Sequence, residues 1–181
     1  MSFIPKVLII AGSDSGGGAG IQADIKTTSY FNGYAMTAIT AITAQNTIGV
    51  QSIYPLPKEI VMEQINSITT DLSPDIVKIG MLADLDIIEY ISKKISNYKI
   101  VLDPVMVATS GDVLVSDEVV SSIKNNLINK SFLITPNIYE AEILSENKIN
   151  CLEDQIEAGK NLLKLGCKHV LVKGGHGNSE I

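Results

Sequence analysis

The stretch Val7-Leu-Ile-Ile-Ala11, running on into Gly12-Ser13-Asp14-Ser15-Gly16-Gly17-Gly18-Ala19-Gly20, decides how the rest of the chain is read. A short run rich in aliphatic and β-branched side chains is strand-like. It empties into a loop with five glycines in nine residues. A helical pattern follows from about Gly20 to Phe31, closed by Asn32-Gly33. Strand, glycine loop and helix in that order are the opening unit of a parallel α/β sheet.

Outward from this unit the alternation continues. Met36 to Thr43 and Val50 to Tyr54 read as strands. Pro57 suits a first helical position, with Ile60, Ile65, Ile68 and Leu72 on one face of the helix after it. Ile76 to Ile79 is strand-like. Asp84 can cap a helix carrying Ile87, Ile88, Ile91 and Ile95. Lys99 to Leu102 is a strand, and Ser116 can cap a helix with Val119, Val120, Ile123 and Leu127. Phe132 to Ile134 is a strand, Tyr139 to Leu144 a short helix, 152 to 165 a longer one, and His169 to Val172 the last strand. Near-continuous apolar strands need burial on both faces. The expected fold is therefore a three-layer, doubly wound, mostly parallel sheet with helices on both faces, in one domain over residues 1–181.

The charge balance narrows the partners. Fourteen basic against twenty acidic side chains give −6, which argues against nucleic acid or an anionic membrane. Every basic residue is Lys, so a bound phosphate must rely on Lys, backbone N–H groups or a metal rather than a guanidinium fork. Cys151 and Cys167 read as two buried free thiols in a reducing compartment. The N-terminus lacks the order of a signal peptide, and no apolar run approaches the ~18 residues of a membrane span. A soluble, cytoplasmic protein is expected.

The chemistry-bearing residues fall after strands. Beyond the glycine loop these are Gln45-Asn46-Thr47, Gly80-Met81, Asp103-Pro104, Thr135-Pro136-Asn137 and Lys173-Gly174-Gly175-His176. Ligands of open parallel sheets bind at the carboxyl edge of the strands. Loops collect glycine, proline and asparagine for reasons of their own, but that does not account for Asp103, Asn137, Glu140 and Lys173 sharing one edge.

Two familiar phosphate loops can be tested on the glycine segment. A Walker A loop needs Gly where Ile25 stands, so that reading fails. Gly18-x-Gly20-x-x-Ala23 fits a dinucleotide fingerprint, but the acid it requires after the second strand is replaced by Gln45-Asn46. Gln45 offers an amide donor and acceptor in one plane, matched to a heterocycle edge with an amino group and a ring nitrogen. It can equally make local loop hydrogen bonds. Asp24 is either a solvated helix carboxylate or a ligand contact. Asp103, Asn137 and Glu140 could hold a hard cation such as Mg²⁺ directly or through water. Alternatively Asn137 and Glu140 form a capping box. Lys173 could steady a polyphosphate or sit exposed at a turn. His169 reads as a packed strand residue.

Taken together, Ala11 to Gly20, Thr43-Ala-Gln-Asn-Thr47, Val101-Leu-Asp-Pro-Val-Met-Val-Ala108, Thr135-Pro-Asn137 with Glu140 and Glu142, and Val172-Lys-Gly-Gly-His176 resemble the hydroxymethylpyrimidine and phosphomethylpyrimidine kinases of thiamine biosynthesis, in the ribokinase-like superfamily. The resemblance implies ATP-dependent phosphorylation of 4-amino-5-hydroxymethyl-2-methylpyrimidine and its monophosphate, with ATP and Mg²⁺, and a homodimer. It implies pyrimidine contacts at Gly12, Asp24, Gln45, Met81 and Val107. Lys173, Gly175 and Asn137 would serve the nucleotide, and Asp103 and Glu140 the metal. Thr109 stands where many relatives have Lys.

The family's Gly-Thr-Gly anion-hole segment and the catalytic residue after it do not occur in these 181 residues. The expectation is a ribokinase-like domain incomplete at its C-terminus, with no catalytic residue in this stretch. Two alternatives stay open: a pyridoxal-type vitamin kinase of the same superfamily, and a non-catalytic pyrimidine-binding remnant.

Overall fold

The computed structural model describes residues 3–106 and 115–174. Seven strands form one sheet: β1 (Lys6–Asp14), β2 (Tyr34–Gln45), β3 (Val50–Pro55), β4 (Ile76–Ile79), β5 (Lys99–Leu102), β6 (Leu133–Ile134) and β7 (His169–Val170). Their order is β3-β2-β1-β4-β5-β6-β7. Neighbours pair in parallel except β3, which runs antiparallel to β2 at one edge. The helices are α1 (Gly20–Tyr30), α2 (Lys58–Asp71), α3 (Leu85–Lys94), α4 (Asp117–Asn126), α5 (Ile138–Ser145) and α6 (Leu152–Lys164).

The alternation of β1 explains the layers. Leu8 and Ile10 point into a large core with Val61, Ile65, Ile88, Ile91, Ile123 and Leu162 from α2, α3, α4 and α6. Ile9 and Ala11 point the other way, against Ile21 of α1. Successive strand residues face opposite sides, so one continuous apolar run serves both layers. Burying each large aliphatic side chain stabilises the fold by roughly 1.5–3 kcal/mol.

Local signals set several helix starts. Asp84 accepts a hydrogen bond from the Ile87 N–H at 3.0 Å, and Ser116 caps Val119 at 3.5 Å. Ile87, Ile88, Ile91 and Ile95 are buried as the spacing requires.

The structure corrects four expectations. Pro57 is the residue before α2 rather than its first turn, and Ile60 is exposed while Val61 is fully buried. The inward stripe is thus Val61, Ile65, Ile68 and Leu72. β1 and β2 run past the expected ends to Asp14 and Gln45, because Ser13 and Asp14 pair with Ile42 and Thr43 after a bulge. Cys151 is exposed just before α6, and only Cys167 is buried. His169 lies exposed on the outer strand, its ring edge-on to Phe132 with centroids 4.8 Å apart.

Candidate active site

The chain runs from β1 through α1 to β2 on one side of β1, and later through β4 on the other. Such a reversal opens a crevice at the carboxyl ends of the strands. A cleft of about 450 Å³ lies there, a size suited to small molecules.

The glycine loop forms one wall and is organised from within. The buried Asp14 carboxylate accepts from the N–H groups of Gly16 at 2.7 Å, Gly18 at 3.0 Å and Ala19 at 2.8 Å. The Gly17 N–H bonds the Asp14 carbonyl at 3.0 Å. The loop therefore folds around an internal carboxylate, and four of its amides, those of residues 16–19, already have a partner and are not free to cradle a phosphate. Gly20 has φ +55, and a Cβ there would stand 2.3 Å from the Gly12 carbonyl oxygen. Only glycine permits α1 to start so close to β1.

Gly12, Asp24, Gln45 and Met81 line the same cleft. The side-chain oxygen Oε1 of Gln45 accepts from the Thr43 hydroxyl at 3.1 Å, which orients its amide. The Asp24 carboxylate is ion-paired with Lys78 at 2.6 Å, each side chain about one-fifth exposed, at 22% and 20%. Gly80 makes room for this pair, since a Cβ there would lie 3.1 Å from the Lys78 ammonium.

The opposite wall is built from the ends of β5, β6 and β7. Asp103 Oδ1 accepts from Lys173 Nζ at 2.7 Å and from the Thr135 hydroxyl at 3.2 Å. Asn137 and Glu140 form the capping box of α5, with Glu140 Oε2 accepting from the Asn137 N–H at 2.7 Å and Asn137 Oδ1 from the Glu140 N–H at 2.8 Å. Glu140 is buried, and burial pushes its carboxyl above the ordinary 4.5; the Asn137 N–H bond and the Lys173 charge oppose that.

The structure thus gathers Gly12, Asp24, Gln45, Met81, Asp103, Asn137, Glu140 and Lys173 around one cleft. Val107, Thr109, Gly175 and His176 lie outside the described residues. Sequence reasoning missed Asp14 as the centre of the loop, and it missed Lys78. The signal for Lys78 was present: a cation inside Ile76-Val-Lys-Ile79, where every other side chain is apolar.

This sheet order, with its antiparallel outer strand and a cleft at the carboxyl edge, defines an α/β protein of the ribokinase-like class. The family described as phosphomethylpyrimidine kinase matches residues 14–181, and the chain belongs to it. Over 176 residues it is 50% identical to the hydroxymethylpyrimidine/phosphomethylpyrimidine kinase of Bacillus subtilis (strain 168), covering 96% of this chain and 65% of that protein. It is 45% identical to the enzyme of that name from Escherichia coli (strain K12), covering 97% of this chain and 67% of that one. Phosphomethylpyrimidine kinase from Clostridium difficile 630 superposes with a TM-score of 0.88 at 45% identity, covering 98% of this chain and 78% of that structure. Bacillus subtilis pyridoxal kinase, solved as an ADP complex, superposes with 0.88 at 38% identity, covering 98% of this chain and 69% of that structure. The chain spans just under two thirds of the length of the Bacillus subtilis relative.

Proposed function

We propose that the protein transfers a phosphoryl group from ATP to 4-amino-5-hydroxymethyl-2-methylpyrimidine and to its monophosphate in thiamine biosynthesis. The observation that carries this reading is the single cleft. Residues assigned to the pyrimidine line one wall, and residues assigned to Mg-ATP line the other. Relatives in rice and Arabidopsis thaliana bear names that place them in thiamine biosynthesis. On this reading residues 1–181 act as one ribokinase-like domain of a cytoplasmic homodimer.

The residues present suit a hard cation, which takes oxygen ligands and keeps several waters. Asp103 and Glu140 offer carboxylates, although among the described residues no three His, Cys, Asp or Glu side chains cluster as a ready-made metal cage. The metal would therefore share its coordination with water and nucleotide phosphates, and would neutralise charge on them. Asp103 would offer it the second carboxylate oxygen, since Oδ1 is bonded to Lys173 and Thr135. Gln45 orients the ring through its amide, and Asp24 accepts from the hydroxymethyl group. Anion-hole and base chemistry are assigned to none of the described residues.

The experiment is a coupled assay with ATP and Mg²⁺ against the pyrimidine, its monophosphate and pyridoxal. Turnover of the two pyrimidines above pyridoxal supports the reading. The reverse order supports a pyridoxal-type kinase, which the likeness to pyridoxal kinase structures keeps in view. Binding of pyrimidine without turnover supports a binding remnant.

A further inference from the structure

A kinase acting on both an alcohol and its phosphate ester needs one cleft to accept a neutral group and a dianion at the same place. The glycine loop is the obvious candidate for the ester phosphate, but four of its amides already have a partner. The N–H groups of Gly16, Gly17, Gly18 and Ala19 are all spent on Asp14. The chain has no Arg. Among the described residues lining the cleft, the cations are Lys78 and Lys173. Lys173 is committed to Asp103 on the far wall. Lys26 bonds the Gly17 carbonyl at 2.7 Å and does not line the cleft.

Lys78 stands where the ester would need it. It projects from β4, which lies between β1 of the pyrimidine wall and β5 of the metal wall. Its ammonium passes over Gly80 towards Asp24. The pair is mostly shielded from water, so its two charges interact strongly with each other and with any charge brought beside them.

Resting on the pyrimidine reading above, we infer that Lys78 is the specificity-determining residue for the phosphorylated substrate. The alcohol binds with the Asp24–Lys78 pair closed, its hydroxyl donating to Asp24. The phosphate ester displaces Asp24 and takes the Lys78 ammonium as its own partner. One ion pair thereby presents an acceptor to the first substrate and a donor to the second. The bare pair has no net charge, so neither ligand meets a standing repulsion.

The test is calorimetry with hydroxymethylpyrimidine and phosphomethylpyrimidine on the wild type, Lys78→Met, Lys78→Arg and Asp24→Asn. A charge-assisted contact of this kind is worth roughly 10- to 100-fold in affinity. Lys78→Met should lose that much more affinity for the ester than for the alcohol, and Lys78→Arg should restore most of it. Asp24→Asn removes the competitor, so the ester should bind more tightly and the alcohol more weakly. Opposite signs in one variant cannot come from poor folding, so Asp24→Asn decides the matter if Lys78→Met fails to fold. Equal losses for both ligands in Lys78→Met, or weakening of both in Asp24→Asn, would overturn the inference while leaving the pyrimidine reading intact. A wild type that binds neither ligand would overturn both.

Discussion

Lys173 Nζ lies 2.7 Å from Asp103 Oδ1 although 70 positions separate the two residues in the chain. The Thr135 hydroxyl, at the end of the strand between theirs, bonds the same oxygen at 3.2 Å. Two neighbouring strands thus each deliver one donor to a carboxylate at the end of a third, a cross-link that parallel register makes possible.

Asp103→Asn keeps the size of the side chain and removes its charge. On the proposed function it should lower turnover roughly 100-fold or more, the scale seen when a group stabilising charge in a transition state is lost. Pyrimidine affinity should change far less. Steady-state kinetics with parallel calorimetry check this; a collapse of pyrimidine binding with turnover per bound ligand preserved would refute the assignment.

Gln45→Ala should weaken pyrimidine binding by about 1–3 kcal/mol, the range for losing an amide's hydrogen bonds to a bound ligand. Gln45→Glu should also weaken it, since a donor is lost and a charge must be desolvated. An unchanged dissociation constant in either folded variant moves the ring elsewhere in the cleft.

Asp14→Ala deletes the acceptor of three loop N–H groups at once. Stability to urea should fall by roughly 2–4 kcal/mol, the cost of losing three hydrogen bonds to one carboxylate. Pyrimidine binding should fall with it, because the loop wall no longer holds its shape. A stable variant with intact binding would show that the glycines hold the loop unaided.

Glu142 gives a pH signature. The Ile149 N–H bonds its carboxylate at 2.8 Å and Lys148 lies at 3.1 Å. The Ile149 bond is the chief cause that holds its carboxyl below the ordinary 4.5; burial opposes it and Lys148 assists. A depressed carboxylate contributes stability that is fully present above its unfolded-state value and is lost as pH falls through the folded one. Glu142→Gln should therefore cost about 1 kcal/mol near neutral pH, and the difference from wild type should vanish in acid below the ordinary carboxylate range. Urea titrations from neutral to acid pH measure it. A gap that stays constant with pH would mean that the charge of Glu142 does not matter.

Much of the fold was legible because its causes are local. Asp84 and Ser116 were readable as caps because a cap and its amide lie three residues apart. Ile76 to Ile79 and Lys99 to Leu102 were readable as strands to the residue. Ile60 was misread because proline can stand either before a helix or in its first turn, and that choice rotates the apolar stripe. The strand ends of β1 and β2 were underestimated because a bulge in their pairing, not composition, extends them.

The sequence by itself determined the α/β alternation, the carboxyl-edge position of the glycine, Asp-Pro and Thr-Pro-Asn segments, and the absence of a guanidinium for phosphate. Each follows from periodicity or residue type along the chain. Tertiary structure alone decided which charges face each other. Asp103 with Lys173 is an ion pair because parallel strands far apart in sequence end side by side, and Asp24 with Lys78 because α1 packs over β1, the sheet neighbour of β4. It likewise turned Asp14 from one more polar loop residue into the buried acceptor around which the loop is folded. Through-space electrostatics depends on distance and burial, and neither is written in the spacing of residues along a chain.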